Sequence, residues 1–150
     1  MCAAPLTQRI SRAAMEGSTS EDDTVEAFAD VYEAALRVDT GLGAATGFSE
    51  TCFQAALASE LPTCQREVVR PVPYYCKAVQ KTITVGHVRF DIVYKNVIVE
   101  LKSYRTKCRS TGLPQALHAQ LSAYKRLLEP GEVLLAVLFW KSGVDVFEYT

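Results

Sequence analysis

Three charges interrupt the apolar run FDIVYKNVIVELKS, residues 90–103: Asp91, Glu100 and Lys102. If Lys95 and Asn96 form a two-residue turn, Tyr94 opposes Val97, Val93 opposes Ile98, Ile92 opposes Val99 and Asp91 opposes Glu100. Directly opposed residues of an antiparallel pair have β-carbons about 4.5–5.5 Å apart, and like charges there repel, so something positive should sit between the two acids. Alternation puts Lys102 on the same face as Glu100 and sends Ile92, Val99 and Leu101 to the other, with Arg89 opposing Lys102. Spacing leaves two readings open. Asp91, Glu100, Arg89 and Lys102 form a neutral salt-bridge quartet, or the two carboxylates hold a hard divalent cation, for which oxygen ligands and an incomplete protein shell are usual. Magnesium held there would polarise a phosphoryl oxygen and lower the pKa of a bound water, with Lys102 orienting that water or stabilising developing charge.

The elements that position these groups follow from the pattern on either side. Residues 1–19 read as a flexible N-terminal arm and residues 20–150 as one domain, since 150 residues suffice for one real core and leave two marginal. Ser20, followed by Glu21, Asp22 and Asp23, reads as the N-cap of a helix running to about Arg37, with Phe28, Val31, Ala35 and Val38 as its apolar stripe. GLGAATG (41–47) breaks it, and a second helix is expected from about Phe48 to Leu61, stopped by Pro62. Extended chain follows in REVVRPVPYY, AVQKTITVG, HVRFDIVY and VIVELKS, the first at an edge or bulged because of Pro71 and Pro73. Pro114 suits the first turn of a helix, QALHAQLSAYKRLL, with Leu117, Leu121, Tyr124 and Leu128 on one face. VLLAVLFW and VDVFEY close the chain as two strands joined by KSG. This order predicts an α/β or α+β sandwich around a mixed sheet.

Composition narrows the function classes. No apolar run approaches the roughly 20 residues of a membrane span, and MCAAPLTQRISRAAMEG has no apolar core of a secretory signal. An intracellular setting is expected, in cytoplasm, nucleus or virion interior, with no membrane partner. Cys2, Cys52, Cys64, Cys76 and Cys108 are odd in number, widely spaced and without C-x-x-C, which suggests neither a disulfide framework nor a zinc site. The net charge of −1 hides an asymmetry: Gln65 to Arg126 holds twelve Lys or Arg against three acids, a local +9 against −10 elsewhere. Such a split favours an anionic partner for the central segment, unless its basic strands merely face an acidic helix of the same molecule.

Asp91 and Glu100-Leu101-Lys102 resemble the D…(D/E)-x-K signature of the PD-(D/E)XK nuclease superfamily. GFSETCFQAALASEL, PVPYY, VIVELKS and AQLSAYKRLL, in this order over roughly residues 25–140, look like its GxxExxY group. The resemblance implies a restriction-endonuclease-like core, a central mixed β-sheet flanked by helices, and magnesium- or manganese-dependent phosphodiester hydrolysis. It implies Glu50, Asp91 and Glu100 as metal ligands, Lys102 as the catalytic lysine and Gln120 as a supporting glutamine. Tyr124, one turn after Gln120, shares its face as further support. Two departures bear on substrate choice: Phe53 stands where the group has Tyr, and the loop from Lys102 to Gln120 is longer and more basic.

That loop gives the expected partner. Arg105, Lys107 and Arg109, with Arg89 and Lys125 nearby, suit phosphate contacts that position a nucleic acid without reading its sequence. Tyr74, Tyr75 and Tyr104 suit stacking on unpaired bases or plain packing. His87 and His118 read as surface residues. The expectation is a metal-dependent nuclease with DNA as favoured substrate and a homodimer or helper protein compatible with so compact a site. The alternative is a nuclease-fold protein that no longer cuts and serves as a nucleic-acid-binding or assembly module.

Overall fold

Ala27, Phe28, Val31, Ala34, Ala35 and Val38 recur at helical spacing, and all are buried along helix α1 (Asp23–Leu42). The computed structural model describes residues 7–9, 23–42, 49–104 and 112–150. Helix α1 runs past Arg37, where the sequence predicts its end, to Leu42: Val38 is buried, and the Thr40 hydroxyl closes the last turn on the carbonyls of Leu36 and Arg37. The expected cap Ser20 and most of the glycine-rich break lie outside the described residues. Helix α2 (Glu50–Ser59) is shorter than predicted, its last carbonyls taken by the Glu60 amide in the turn before Pro62. The Arg37 guanidinium donates to Glu60 at 2.8 Å and ties the two helices together.

The strands are β1 (Thr7–Arg9), β2 (Gln65–Cys76), β3 (Lys81–Tyr94), β4 (Val97–Tyr104), β5 (Val133–Trp140) and β6 (Gly143–Tyr149), ordered β1-β6-β5-β4-β3-β2 in one sheet. Only β4 and β5 are parallel, and helix α3 (Gln115–Lys125) lies between them in sequence, as a parallel crossover requires. Thr7–Arg9, part of the predicted flexible arm, instead pair with β6 as an edge strand. Strand β3 runs unbroken through Gly86, where the sequence suggests two separate runs.

Helices α1 and α2 cover one face of the sheet through Val97, Val99, Leu101, Leu135, Val137 and Phe139. Helix α3 covers the other, Leu117 and Leu121 meeting Ile98, Leu134, Ala136 and Leu138. Strands β4 and β5 are thus buried on both sides, which explains the continuous apolar run of β5 and the apolar start of β4. The result is the α/β architecture expected, a central mixed sheet flanked by helices. Among the described residues no helix is long and apolar enough to cross a membrane. Cys52, Cys64 and Cys76 are free thiols.

The hairpin register is the one derived above: Tyr94 pairs with Val97, Val93 with Ile98 and Ile92 with Val99. Lys95 takes φ 52°, and Asn96 holds the turn by donating to Thr24 and to the Gly131 carbonyl, each at 2.9 Å. Pro71 and Pro73 do lie on an edge strand, with a register shift between Val72 and Pro73. Near its middle, β2 is pinned to the start of β5 by Arg70, which grips Glu132 through two bonds of 2.6 and 3.0 Å and donates to the Leu127 carbonyl. The Arg70 bonds hold the Glu132 carboxyl below its usual range. Glu132→Gln is expected to cost about 2 kcal/mol near neutral pH, as for a charged hydrogen bond that leaves its partner behind. Because the folded pKa is depressed, that contribution is present above the unfolded value and fades as acid titrates the carboxylate. Equal urea midpoints for variant and parent at neutral pH would contradict it.

Candidate active site

Strand β4 carries Glu100 and Lys102 on the face that Ile98 presents to α3, so two side chains that belong in water emerge beside a core. Glu100 is only 2% exposed, and Lys102 Nζ sits 3.5 Å from its Oε1. Its other oxygen, Oε2, is buried where no donor reaches it, so only a proton shared with Asp91 can satisfy it. Burial, and after it the charge of Asp91, push the Glu100 carboxyl from 4.5 up to about 8. For Lys102 burial opposes the charge, but Glu100 and Glu50 outweigh it and its pKa rises.

Asp91 arrives from β3, where the sheet is interrupted. The paired rungs between β3 and β4 end at Ile92 and Val99, and Asp91 Oδ2 accepts the Leu101 amide at 2.8 Å in place of a backbone carbonyl. Inward-outward alternation fails at this residue: Ile92 and Tyr94 belong to the core under α1 and α2, but Phe90 and Val88, of the same parity, to the core under α3. On β2, Glu67 stands opposite Asp91 by register, outside the strand ladder and with φ 51°. Burial raises the Asp91 pKa against the lowering effects of the Leu101 amide and Lys102.

The broken alternation dissolves the salt-bridge quartet. Arg89 does not oppose Lys102; it pairs with Val69 on β2, and its guanidinium lies 3.9 Å from Glu67. Asp91 and Glu100 are left with one ammonium between them.

The sequence model of the PD-(D/E)XK nuclease superfamily matches residues 25–139. The chain belongs to the PD-(D/E)XK nuclease superfamily. The crystal structure of SSO0001 shares the fold, with a TM-score of 0.50 at 18% identity over 92% of this chain and 72% of that one. No curated protein matches the sequence.

Superfamily members generally use divalent metals, and the site can be tested for fit. An orphaned, buried carboxylate oxygen beside a second carboxylate is the donor set a hard cation takes. Among the described residues no group of three or more acids, histidines or cysteines converges tightly enough to enclose an ion. Asp91 and Glu100 therefore fit as an incomplete shell, to be finished by water or substrate oxygens. Glu50, at the start of α2, leans toward the site but spends Oε1 on the Ser103 amide at 3.2 Å. Its charge still reaches Asp91 and Lys102.

Gln120 and Tyr124 share a face as expected: Gln120 donates to the Tyr124 hydroxyl at 2.9 Å, which donates to the Arg89 carbonyl at 3.3 Å. Burial and the charge of Glu100 raise the Tyr124 pKa, so this pair flanks the acids. Gln54 and Arg66 are site residues the sequence reading misses. Gln54 Nε2 donates to Asp91 Oδ1 at 3.1 Å, and its carbonyl accepts from Arg66 at 2.9 Å, so a cation is relayed to the back of Asp91 through an amide. The available signal was spacing, since Gln54 follows Glu50 by one turn on the same face. Glu50, Thr51, Gln54, Glu67, Asp91 and Leu101 line a cleft of about 150 Å³.

Of the predicted nucleic-acid contacts, Arg89 is exposed at the cleft edge and Lys125 donates to the Thr150 carbonyl. Arg105, Lys107 and Arg109 lie outside the described residues. His87 is exposed on β3, whereas His118 is half-buried rather than on the surface, its ring 6.1 Å from that of Tyr149.

Proposed function

We propose that this protein is a divalent-metal-dependent nuclease of the GxxExxY group that hydrolyses phosphodiester bonds inside the cell, with DNA as its favoured substrate. The observation that carries the reading is the buried Oε2 of Glu100, which no donor reaches, beside Asp91 and with Lys102 on its other oxygen. A buried polar group without a donor costs free energy, and a cation bound between the two acids would offset that cost.

In this reading Asp91 and Glu100 hold Mg²⁺ or Mn²⁺, and Glu50 contributes from the mouth of the cleft. The metal supplies Lewis acidity toward a phosphoryl oxygen and makes a water acidic. Lys102, as an ammonium, orients the attacking water and offsets charge gathering on the phosphate. Leu101 N–H and Gln54 each donate to one oxygen of the Asp91 carboxylate and fix its orientation. The Gln120 and Tyr124 pair holds the α3 side of the site in place.

The test is incubation of the purified protein with single- and double-stranded DNA and RNA in Mg²⁺, Mn²⁺ or EDTA. Cleavage in metal and none in EDTA supports the reading; no cleavage under any condition overturns it. The second reading, a non-cutting nucleic-acid-binding module, draws on the absence of a three-ligand group among the described residues. It predicts no thermal stabilisation by either metal, which a ligand bound only by the folded state must produce. Gln54, a positioning residue, gives a finer check: Gln54→Ala is expected to weaken metal-dependent cleavage by about tenfold, with a raised metal requirement, as for loss of a partner that orients a ligand. Unchanged metal dependence would exclude that role.

A further inference from the structure

Strands β2 and β3 outrun the sheet. Strand β3 has 14 residues, but only Ile92, Val93 and Tyr94 pair with β4, while its pairing with β2 continues to Lys81. The far part of this pair is therefore a two-stranded ribbon that leaves the sheet directly from Asp91. A two-stranded ribbon has no core of its own and is marginal in water. This one nevertheless exposes large apolar side chains, with Tyr74 and Tyr75 each 56% exposed and Val85 58%.

Its charge is one-sided. From Val68 to Phe90 there is no acid, against Lys77, Lys81, Arg89, a histidine and Arg70, whose charge Glu132 offsets. Pairing sorts these residues along the ribbon. Val69 with Arg89, Pro71 with His87 and Tyr75 with Thr82 lie on one face, because β2 carries no extra residue at the register shift. That face begins beside the active cleft, where Arg89 meets Glu67, and runs about 20 Å to Tyr75 at roughly 3.3 Å per residue. Lys77 follows in the turn at the tip, and Lys81 flanks it.

The free edge of β2 does not suit a second copy of the chain. Pro71 and Pro73 remove backbone donors, and the register shift twists the edge, both devices that block strand addition. Arg89 and His87 along the face, with exposed Tyr75 and two lysines at the tip, instead match an unpaired nucleic-acid strand, its phosphates on the basic side chains and a base on the aromatic ring. We propose that the β2–β3 ribbon is an arm that binds single-stranded nucleic acid continuing from the active site, guided by Arg89 and His87 and anchored at its tip by Tyr75, Lys77 and Lys81. The inference rests on the nuclease reading for the direction in which the strand leaves the cleft.

The experiment measures fluorescence anisotropy of labelled single-stranded DNA, single-stranded RNA and blunt duplex DNA, in EDTA, over a range of salt. The parent chain is compared with Lys77→Glu/Lys81→Glu and with Tyr74→Ser/Tyr75→Ser, all at exposed positions far from the core. The charge-reversed variant should lose about tenfold or more in affinity and flatten the salt dependence by at least about 1.4 in log–log slope, two phosphate contacts at about 0.7 each. The serine variant should weaken single strands by about fivefold or more and the duplex far less. Lys77→Arg/Lys81→Arg should restore parental binding. Hydrolysis of bis(4-nitrophenyl) phosphate, too small to reach the arm, should be equal in all variants.

Parental affinity in both disruptive variants, or no binding by the parent, overturns the arm. Equal affinity with altered sedimentation makes a second copy the occupant and also overturns it. Equal losses on duplex and single strand overturn the assignment to unpaired strands. Loss of binding in a chain that hydrolyses no phosphodiester retains the arm and removes the nuclease reading; hydrolysis with unaffected binding does the reverse.

Discussion

Lys102→Ala is expected to lower magnesium-dependent cleavage about 10²- to 10³-fold while the protein stays folded and still responds to metal. The magnitude is that of removing one preorganised donor aimed at charge developing in a transition state. The separation of readouts comes from the position of Lys102. Its ammonium is 3.5 Å from Glu100 Oε1 and is itself part-exposed, so removing it opens no large core cavity. It also deletes a positive charge beside the two acids, which makes the site more attractive to a cation. Thermal stabilisation by Mg²⁺ should therefore equal or exceed that of the parent even as activity disappears. Lys102→Arg keeps the charge and tests geometry, since a planar guanidinium does not reproduce a compact ammonium. Cleavage by Lys102→Ala at the parental rate would remove the lysine from the reaction, and loss of metal stabilisation together with activity would make its role structural.

The part of this site that the sequence reveals is the part governed by period and pairing. A period of two places Glu100 and Lys102 together whatever the turn, and Lys95 and Asn96 fix the register from Tyr94 with Val97 to Ile92 with Val99, one rung short of Asp91 and Glu100. VLLAVLFW, an apolar run of eight residues, announces a strand covered on both faces, which is what β5 becomes. The two prolines of β2 mark an edge because each removes a ladder donor.

What the sequence hides is where a period stops. Nothing in HVRFDIVY shows that alternation fails at Asp91, because the cause is tertiary: an aspartate that takes a backbone amide from β4, opposite a glutamate with positive φ on β2. Assuming an unbroken period aims Arg89 at Lys102 and builds an ion quartet that the fold does not contain. The relay from Arg66 through Gln54 to Asp91 joins residues from β2, α2 and β3, so no local pattern encodes it. Helix ends drifted for a simpler reason. Glycine at residue 41 weakens a helix by only about 1 kcal/mol, less than burial of Val38 returns.

Glu100→Gln tests the cost of burying this carboxylate most directly, through stability rather than activity. In the unfolded chain the Glu100 carboxyl titrates near 4.5, and in the metal-free fold near 8. Between those values the folded state holds a proton that the unfolded state has released, so stability falls as pH rises through this window. At about 1.4 kcal/mol per unit, the full span corresponds to an upper bound of roughly 5 kcal/mol, and repacking and water entry reduce it to a few. Asp91, also raised by burial, adds a contribution of the same sign. Glutamine is nearly isosteric, cannot ionise, and can donate to Asp91, so the variant should match the parent near pH 5 and exceed it by a few kcal/mol near pH 8.5 in EDTA. Divalent metal reverses the order for the parent alone, because it binds the ionised acid and restores at high pH what desolvation removes. Urea unfolding at both pH values, with and without Mg²⁺, reads all four corners of this comparison. Parallel pH profiles for the two proteins in EDTA would mean that Glu100 is solvated in solution and that its oxygen awaits no cation.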